Sequence, residues 1–103
     1  MIIAVDYDDT LVDCKGKVNW TLIKWLKQAQ RAGDTVILWT CREAGSLAAA
    51  LIKLRECGFA PNFVNSNSPE RVQHSKCDPR KIYADIYIDD KAIRASFKPE
   101  DFS

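Results

Sequence analysis

The sequence predicts an α/β sandwich around a central, mainly parallel sheet, and two observations carry that prediction. Short apolar runs without polar alternation, IIAV at the N-terminus, TVILW at 35–39 and ADIYI at 84–88, have the character of strands covered on both faces. Helical periodicity follows the first of these runs and again the second. Strands separated by helices of about ten or more residues make βαβ units, which pair in parallel through right-handed crossovers.

Each element has its own signals. The first strand covers 2–6, and LVDCKGKV after it, with Gly16 as turn residue, is long enough only for a small hairpin or flap. Asn19 reads as an N-cap. Behind it Leu22, Leu26 and Ala29, flanked by Ile23 and Trp25, recur at helical spacing up to Gly33, the expected C-cap. The second strand, 35–39, ends on TCRE, and Leu47, Leu51 and Leu54 then form the stripe of a second helix that Gly58 stops. A short third strand is expected near PNFVN, followed by SNSPERVQHSKCDPRK as a long polar loop with one helical turn; the fourth strand, 84–88, runs into DDKA. No repeat, low-complexity stretch or linker interrupts this pattern, so residues 1–103 read as a single domain.

Composition narrows the function classes. A chain of 103 residues with 47% hydrophobic content supports one core without disulfides or a structural metal. A net charge of +1 with the signs interspersed argues against the basic field of a dedicated nucleic-acid binder. The longest apolar runs fall far short of the ~20 residues of a transmembrane helix, and MIIAVDYDD turns acidic at once, unlike the basic leader of a signal peptide. A cytoplasmic protein is therefore expected. Cys14, Cys41, Cys57 and Cys77 include no CxxC pair, and His74 is the lone histidine. That is poor zinc-site spacing, and reduced, mostly packing thiols are expected.

In open α/β sheets ligands bind outside the carboxyl ends of the strands. The first strand delivers Asp6, Asp8 and Thr10 to that edge, the second Thr40 and Arg42, and the fourth Asp89 and Asp90. Asp6, Asp8 and Asp9 lie so close together that they must raise one another's pKa values unless a cation or hydrogen-bond donors sit among them. No GxxxxGK[ST] loop or GxGxxG turn is present, and the lone histidine, in a loop, offers no partner to a Ser or Cys nucleophile. A strand-end pocket of carboxylates is a hard, oxygen-rich site suited to Mg²⁺. The ion compensates Asp6, Asp8 and Asp89 and leaves one carboxylate able to attack a phosphorus atom.

With these residues in place the chain resembles the haloacid dehalogenase superfamily, in particular its capless minimal phosphatases. The family's apolar strand followed by DxDxT matches IIAVDYDDT, its apolar strand ending in Thr or Ser matches VILWT, and its apolar strand ending in DD matches DIYIDD. The Lys or Arg upstream of the last motif is best matched by Lys81, with Lys76 and Arg80 in the same loop as alternatives. Asp9 departs from the pattern, since the family more often has Gly there; a change of local turn and charge is expected.

The resemblance implies a Rossmann-like three-layer sandwich with no cap domain. It further implies that Asp6 is the nucleophile and forms an aspartyl-phosphate, and that Asp8 is general acid and then base. Thr40 would hydrogen-bond the phosphoryl oxygens, and Lys81 would pair with phosphate and nucleophile. Mg²⁺ would be held by the Asp6 side chain, the Asp8 carbonyl and Asp89, with Asp90 in support. The expected protein is an Mg²⁺-dependent phosphohydrolase whose partner is a small phosphate monoester.

Other residues carry plainer expectations. Arg42 either contacts substrate or caps the sheet edge. Trp20, Trp25 and Trp39 are expected in the core or in helix packing, Tyr83 and Tyr87 on a sheet face, and His74 in solvent. The spans between Thr10 and Asn19 and between Asn65 and Pro79 are too short for a cap. An open site either admits large substrates or borrows a lid from a neighbouring subunit, that is, a homo-oligomer. Two rival readings stand beside this one. A nucleotide or polynucleotide end phosphatase would use Arg71, Lys76, Arg80 and Lys81 as a basic rim, though the near-neutral charge does not favour nucleic acid. A non-catalytic phosphate-binding module on the same fold is disfavoured by the set Asp6, Asp8, Thr40, Lys81 and Asp89, because such a module need not keep an acid/base at Asp8.

Overall fold

The β-branched run at the N-terminus forms β1, Ile2–Val5, and the computed structural model, which describes residues 1–66, Pro69 and residues 82–90, builds the remaining elements outward from it. These are α1, Trp20–Arg31; β2, Thr35–Leu38; α2, Ala44–Glu56; β3, Phe63–Val64; and β4, Ile86–Ile88. Asn19 caps α1 as expected, its Oδ1 accepting from the Leu22 N–H at 3.1 Å. Gly33 and Gly58 follow the two helices with φ of +95° and +78°, the left-handed turn that a side chain resists.

Among the described residues the sheet has the order β3-β2-β1-β4, with every pairing parallel. Register sorts the side chains. Ile3, Val5, Val36 and Leu38 share one face with Ile23, Leu26 and Ala29 of α1 and Ala50 and Leu54 of α2. Both helices therefore cover the same face. This follows from topology, since β1→β2→β3 advances in one direction and right-handed crossovers then fall on one side. Ala4 and Ile37 point to the other face, where Ile82 packs with Phe63, Ala84 and Tyr87. Each fully buried Leu or Ile contributes about 1.5–3 kcal/mol of burial.

β4 is shorter than the apolar run suggests. The Asp85 side chain takes a strand partner's place, accepting from the Ile2 N–H at 2.7 Å, while the Asp85 N–H donates to the Ile2 carbonyl at 2.8 Å. Just before it, the Tyr87 hydroxyl donates to the Ile82 carbonyl and accepts from the Ala84 N–H, which folds 82–84 back over the strand. Tyr87 thus packs on a sheet face as expected, while Tyr83, ahead of the strand, is exposed.

The tryptophans correct the sequence reading: Trp20, Trp25 and Trp39 are all exposed, because Ile23, Leu26 and Ala29 already fill the buried stripe of α1 and Trp39 lies just past β2. Trp39 meets Tyr87 edge-on, with ring centroids 5.7 Å apart. The cysteines correct it in part. Cys14, Cys41 and Cys57 are free thiols, but Cys14 and Cys41 are exposed, so they are not packing groups. Cys77 and His74 lie outside the described residues. Among the described residues no helix is long and apolar enough to cross a membrane.

Candidate active site

Among the described strands the order changes direction between β1 and β4, and the crevice beyond the carboxyl ends at such a point is where open α/β sheets bind ligands. Asp6 follows β1 directly, and its N–H donates to the Ile88 carbonyl at 3.0 Å, so the pairing of β1 and β4 carries one residue into the site. Asp89 and Asp90 follow β4. Carboxylate oxygens of Asp6, Asp89 and Asp90 lie within 4.8 Å of one another. Burial raises the Asp6 pKa above the ordinary carboxylate value, and the charges of Asp89, Asp8 and Asp90 raise it further, against a lowering hydrogen bond of 2.8 Å from the Tyr7 N–H. Carboxylate oxygens grouped in this way have the donor chemistry of a hard divalent-cation site.

Asp8 stands apart. Its side chain, 54% exposed, is held by Arg42 through Nε to Oδ2 at 3.0 Å and Nη2 to Oδ1 at 2.8 Å, and this fork lowers the Asp8 pKa. The sequence suggested carboxylates gathered around one pocket; the structure groups Asp6, Asp89 and Asp90 and gives Asp8 to an ion pair. Among the described residues the Arg42 side chain meets Asp8, the Ser46 carbonyl and the Tyr7 ring.

The turn that carries these groups has a strained centre. Asp9 sits at φ +62°, left-handed, which is what a glycine at this place would adopt freely. Around it the Tyr7 carbonyl accepts from the N–H groups of Thr10, Leu11 and Val12, and Val12 bridges to Val18, making the small flap that the sequence suggested. Thr10 Oγ1 is buried with no hydrogen-bond partner among the described residues. Thr10, Asn19, Leu22 and Trp25 border an open depression of about 480 Å³ that ends at Asp89 and Asp90.

Thr40 is buried just past β2, and its Oγ1 accepts from the Arg42 N–H at 3.1 Å. Its peptide is clamped by a residue that the sequence reading passed over. Asn65, after β3, accepts from the Thr40 N–H at 2.8 Å and donates to the Thr40 carbonyl at 2.9 Å. An Asn just past a short apolar strand was the available signal, since Asn tolerates the left-handed φ of +51° that Asn65 adopts. Lys81, with Arg71, Lys76 and Arg80, lies outside the described residues.

The fold and site together define a small parallel α/β domain with a carboxylate cluster at its switch point. No protein-family model and no curated protein matches the chain. A solved structure does: that of a conserved protein from Bacteroides thetaiotaomicron is similar over 90% of this chain and 78% of that one, with 33% sequence identity and a TM-score of 0.77. The chain belongs to the same family as that protein.

Proposed function

We propose that the chain is an Mg²⁺-dependent phosphohydrolase of the haloacid dehalogenase type, acting on a small phosphate monoester through an aspartyl-phosphate on Asp6. The observation that carries this reading is the meeting of Asp6, Asp89 and Asp90 at the switch point, with a further carboxylate, Asp8, held separately from them. Phosphoryl transfer asks mainly for positioning and charge neutralisation, and a nucleophile set apart from an acid/base is the division it needs.

The carboxylates of Asp6 and Asp89 and the Asp8 carbonyl would hold the ion, with Asp90 in support, and the ion would supply the positive charge that lets anionic nucleophile and phosphate meet. Asp6 attacks phosphorus as the bond to the leaving oxygen breaks, and Asp8 gives that oxygen its proton. Asp8 then takes a proton from water, the water oxygen attacks phosphorus, and inorganic phosphate leaves with Asp6 restored. The O–H of Thr40 donates to a phosphoryl oxygen, and Lys81 pairs with phosphate and nucleophile. The same reading implies a third layer over the Ala4 and Ile37 face of the sheet and an uncapped site.

Phosphate release from a panel of sugar, nucleotide and aryl phosphates, run with Mg²⁺ and with EDTA, tests the reading. Turnover should require Mg²⁺, and Asp6→Asn should lower it by about a thousandfold or more, as befits a lost covalent step. Activity that survives EDTA, or an Asp6→Asn protein within about tenfold of the parent, overturns it.

A further inference from the structure

The depression that ends at Asp89 and Asp90 also has an apolar wall. Ile88 closes β4 opposite Val5, on the sheet face that α1 and α2 cover. The crossovers that hold those helices run from β1 toward β3, away from β4, so among the described elements no helix continues over the end of β4. Leu22 and Trp25 of α1 border the resulting space together with Ile88, and it measures about 480 Å³. Leu22 and Ile88 are half-buried against the core, whereas the Trp25 indole is exposed and lies outside the described apolar clusters. The buried Oγ1 of Thr10, without a hydrogen-bond partner among the described residues, belongs to a residue that borders the same depression.

We propose that this depression is a subsite for a hydrocarbon group on the substrate, and that Trp25 sets the preference for phosphate esters that carry one. The proposal rests on the phosphohydrolase reading. Along the chain the depression is bordered by Asp9 and Thr10, which directly follow the residue assigned to the leaving oxygen, and by Asp89 and Asp90, which are assigned to the ion. An ester whose phosphate sits at the carboxylates therefore has its organic group beside the opening. Burying that group against Leu22, Trp25 and Ile88 takes apolar surface of ligand and protein out of water together. The polar remainder of the lining suits the oxygen end of the same ligand, with the Thr10 hydroxyl as a donor still to be used. Concave sites with this division, apolar along one wall and polar at one end, orient an amphipathic ligand in a single direction. An exposed indole fits the wall because its face takes up hydrocarbon while its N–H stays in water.

The test compares kcat/KM on ethyl phosphate and hexyl phosphate with Mg²⁺. Ethanol and hexanol are nearly equal acids, so the ratio of the two constants reads contact with the hydrocarbon chain and not the chemistry of the leaving oxygen. Partial burial of the longer chain should favour hexyl phosphate in the parent by at least about tenfold. Trp25→Ala should lower kcat/KM on hexyl phosphate by at least about fivefold and on ethyl phosphate by less than about twofold. Trp25→Gln, which keeps a good helix former at the position, should do the same, and it decides the matter if Trp25→Ala does not fold. Trp20→Ala removes an indole that is exposed on the same helix but does not border the depression, and it should leave the ratio at the parent's value. A parent indifferent to chain length, a Trp25 variant that keeps the parent's ratio, or a Trp20 variant that loses it as far as the Trp25 variants do overturns the proposal. A parent that releases phosphate neither from these esters nor from the sugar, nucleotide and aryl phosphates defeats the phosphohydrolase reading itself.

Discussion

Asn65 holds the Thr40 peptide from both sides, accepting from its N–H at 2.8 Å and donating to its carbonyl at 2.9 Å. The Asn65 N–H meanwhile donates to the Leu38 carbonyl at 2.8 Å, which carries the pairing of β2 and β3 one residue past the strands. One side chain therefore replaces the rungs that a longer β3 would have supplied, and it does so at the residue assigned to the phosphoryl oxygens.

Loss of this clamp should show in stability first. Asn65→Ala removes two hydrogen bonds and leaves a side chain at φ +51°, for a combined cost of about 2 kcal/mol. In a domain of this size that lowers Tm by roughly 10 °C. Asn65→Gly loses the same bonds without the backbone strain and should melt between the two. A thermal melt in which Asn65→Ala matches the parent would mean that the clamp carries no energy.

How much of this was legible in the sequence differs by element. The strands, apart from the start of β4, and both helices were, because apolar runs, the Asn19 cap and the glycines at 33 and 58 act locally. So was the convergence of Asp6 with Asp89 and Asp90, which needs only parallel strands and a shared edge. The Asp8 to Arg42 fork was not, since the partners are 34 residues apart and nothing in either neighbourhood names the other. The tryptophans misled because size alone does not bury a residue; α1 filled its inward stripe with Ile23, Leu26 and Ala29 and turned Trp25 outward.

Asp9 offers a second stability test. A non-glycine residue at φ +62° is strained, and Asp tolerates this better than a β-branched side chain does. Asp9→Gly should hold or raise stability by up to about 1 kcal/mol, whereas Asp9→Val should lose about 1–2 kcal/mol. Chemical denaturation midpoints with unchanged m-values would read both. An Asp9→Val protein as stable as the parent would remove the argument that the turn needs a left-handed residue.

Asp6 predicts a trade between stability and activity. Burial and neighbouring carboxylates raise its pKa in the folded chain above the ordinary 3.8. From that value up to the raised one the folded chain holds more protons than the unfolded chain, so stability falls as pH rises through the window, and the loss persists at neutral pH. In EDTA at pH 7, Asp6→Asn should therefore melt above the parent while being inactive, and its advantage should vanish below the ordinary carboxylate pKa. Added Mg²⁺ should raise the parent more than the variant, because binding to the folded state alone stabilises it and the variant has lost a ligand. A parent that melts higher than Asp6→Asn in EDTA at pH 7 would refute the electrostatic argument.

Thr10 carries the last prediction. Its Oγ1 is buried without a hydrogen-bond partner among the described residues, and it borders the depression that ends at Asp89 and Asp90. An unsatisfied buried hydroxyl costs about 1–3 kcal/mol, so replacing it with a methyl of the same shape in Thr10→Val should raise stability, by about 1 kcal/mol. A polar group kept at such a cost beside a reaction site belongs to the ligand-bound state, where a substrate oxygen or an ordered water supplies the partner. Thr10→Val should then combine a higher Tm with a kcat/KM at least about fivefold lower on the best phosphate ester, a loss of about 1 kcal/mol from the transition state. Opposite movement of the two readouts is the signature, because a merely structural hydroxyl would lower both together. A variant that melts lower than the parent would show that the hydroxyl already has a partner in the resting protein, and the assignment of Thr10 to the bound state would fall.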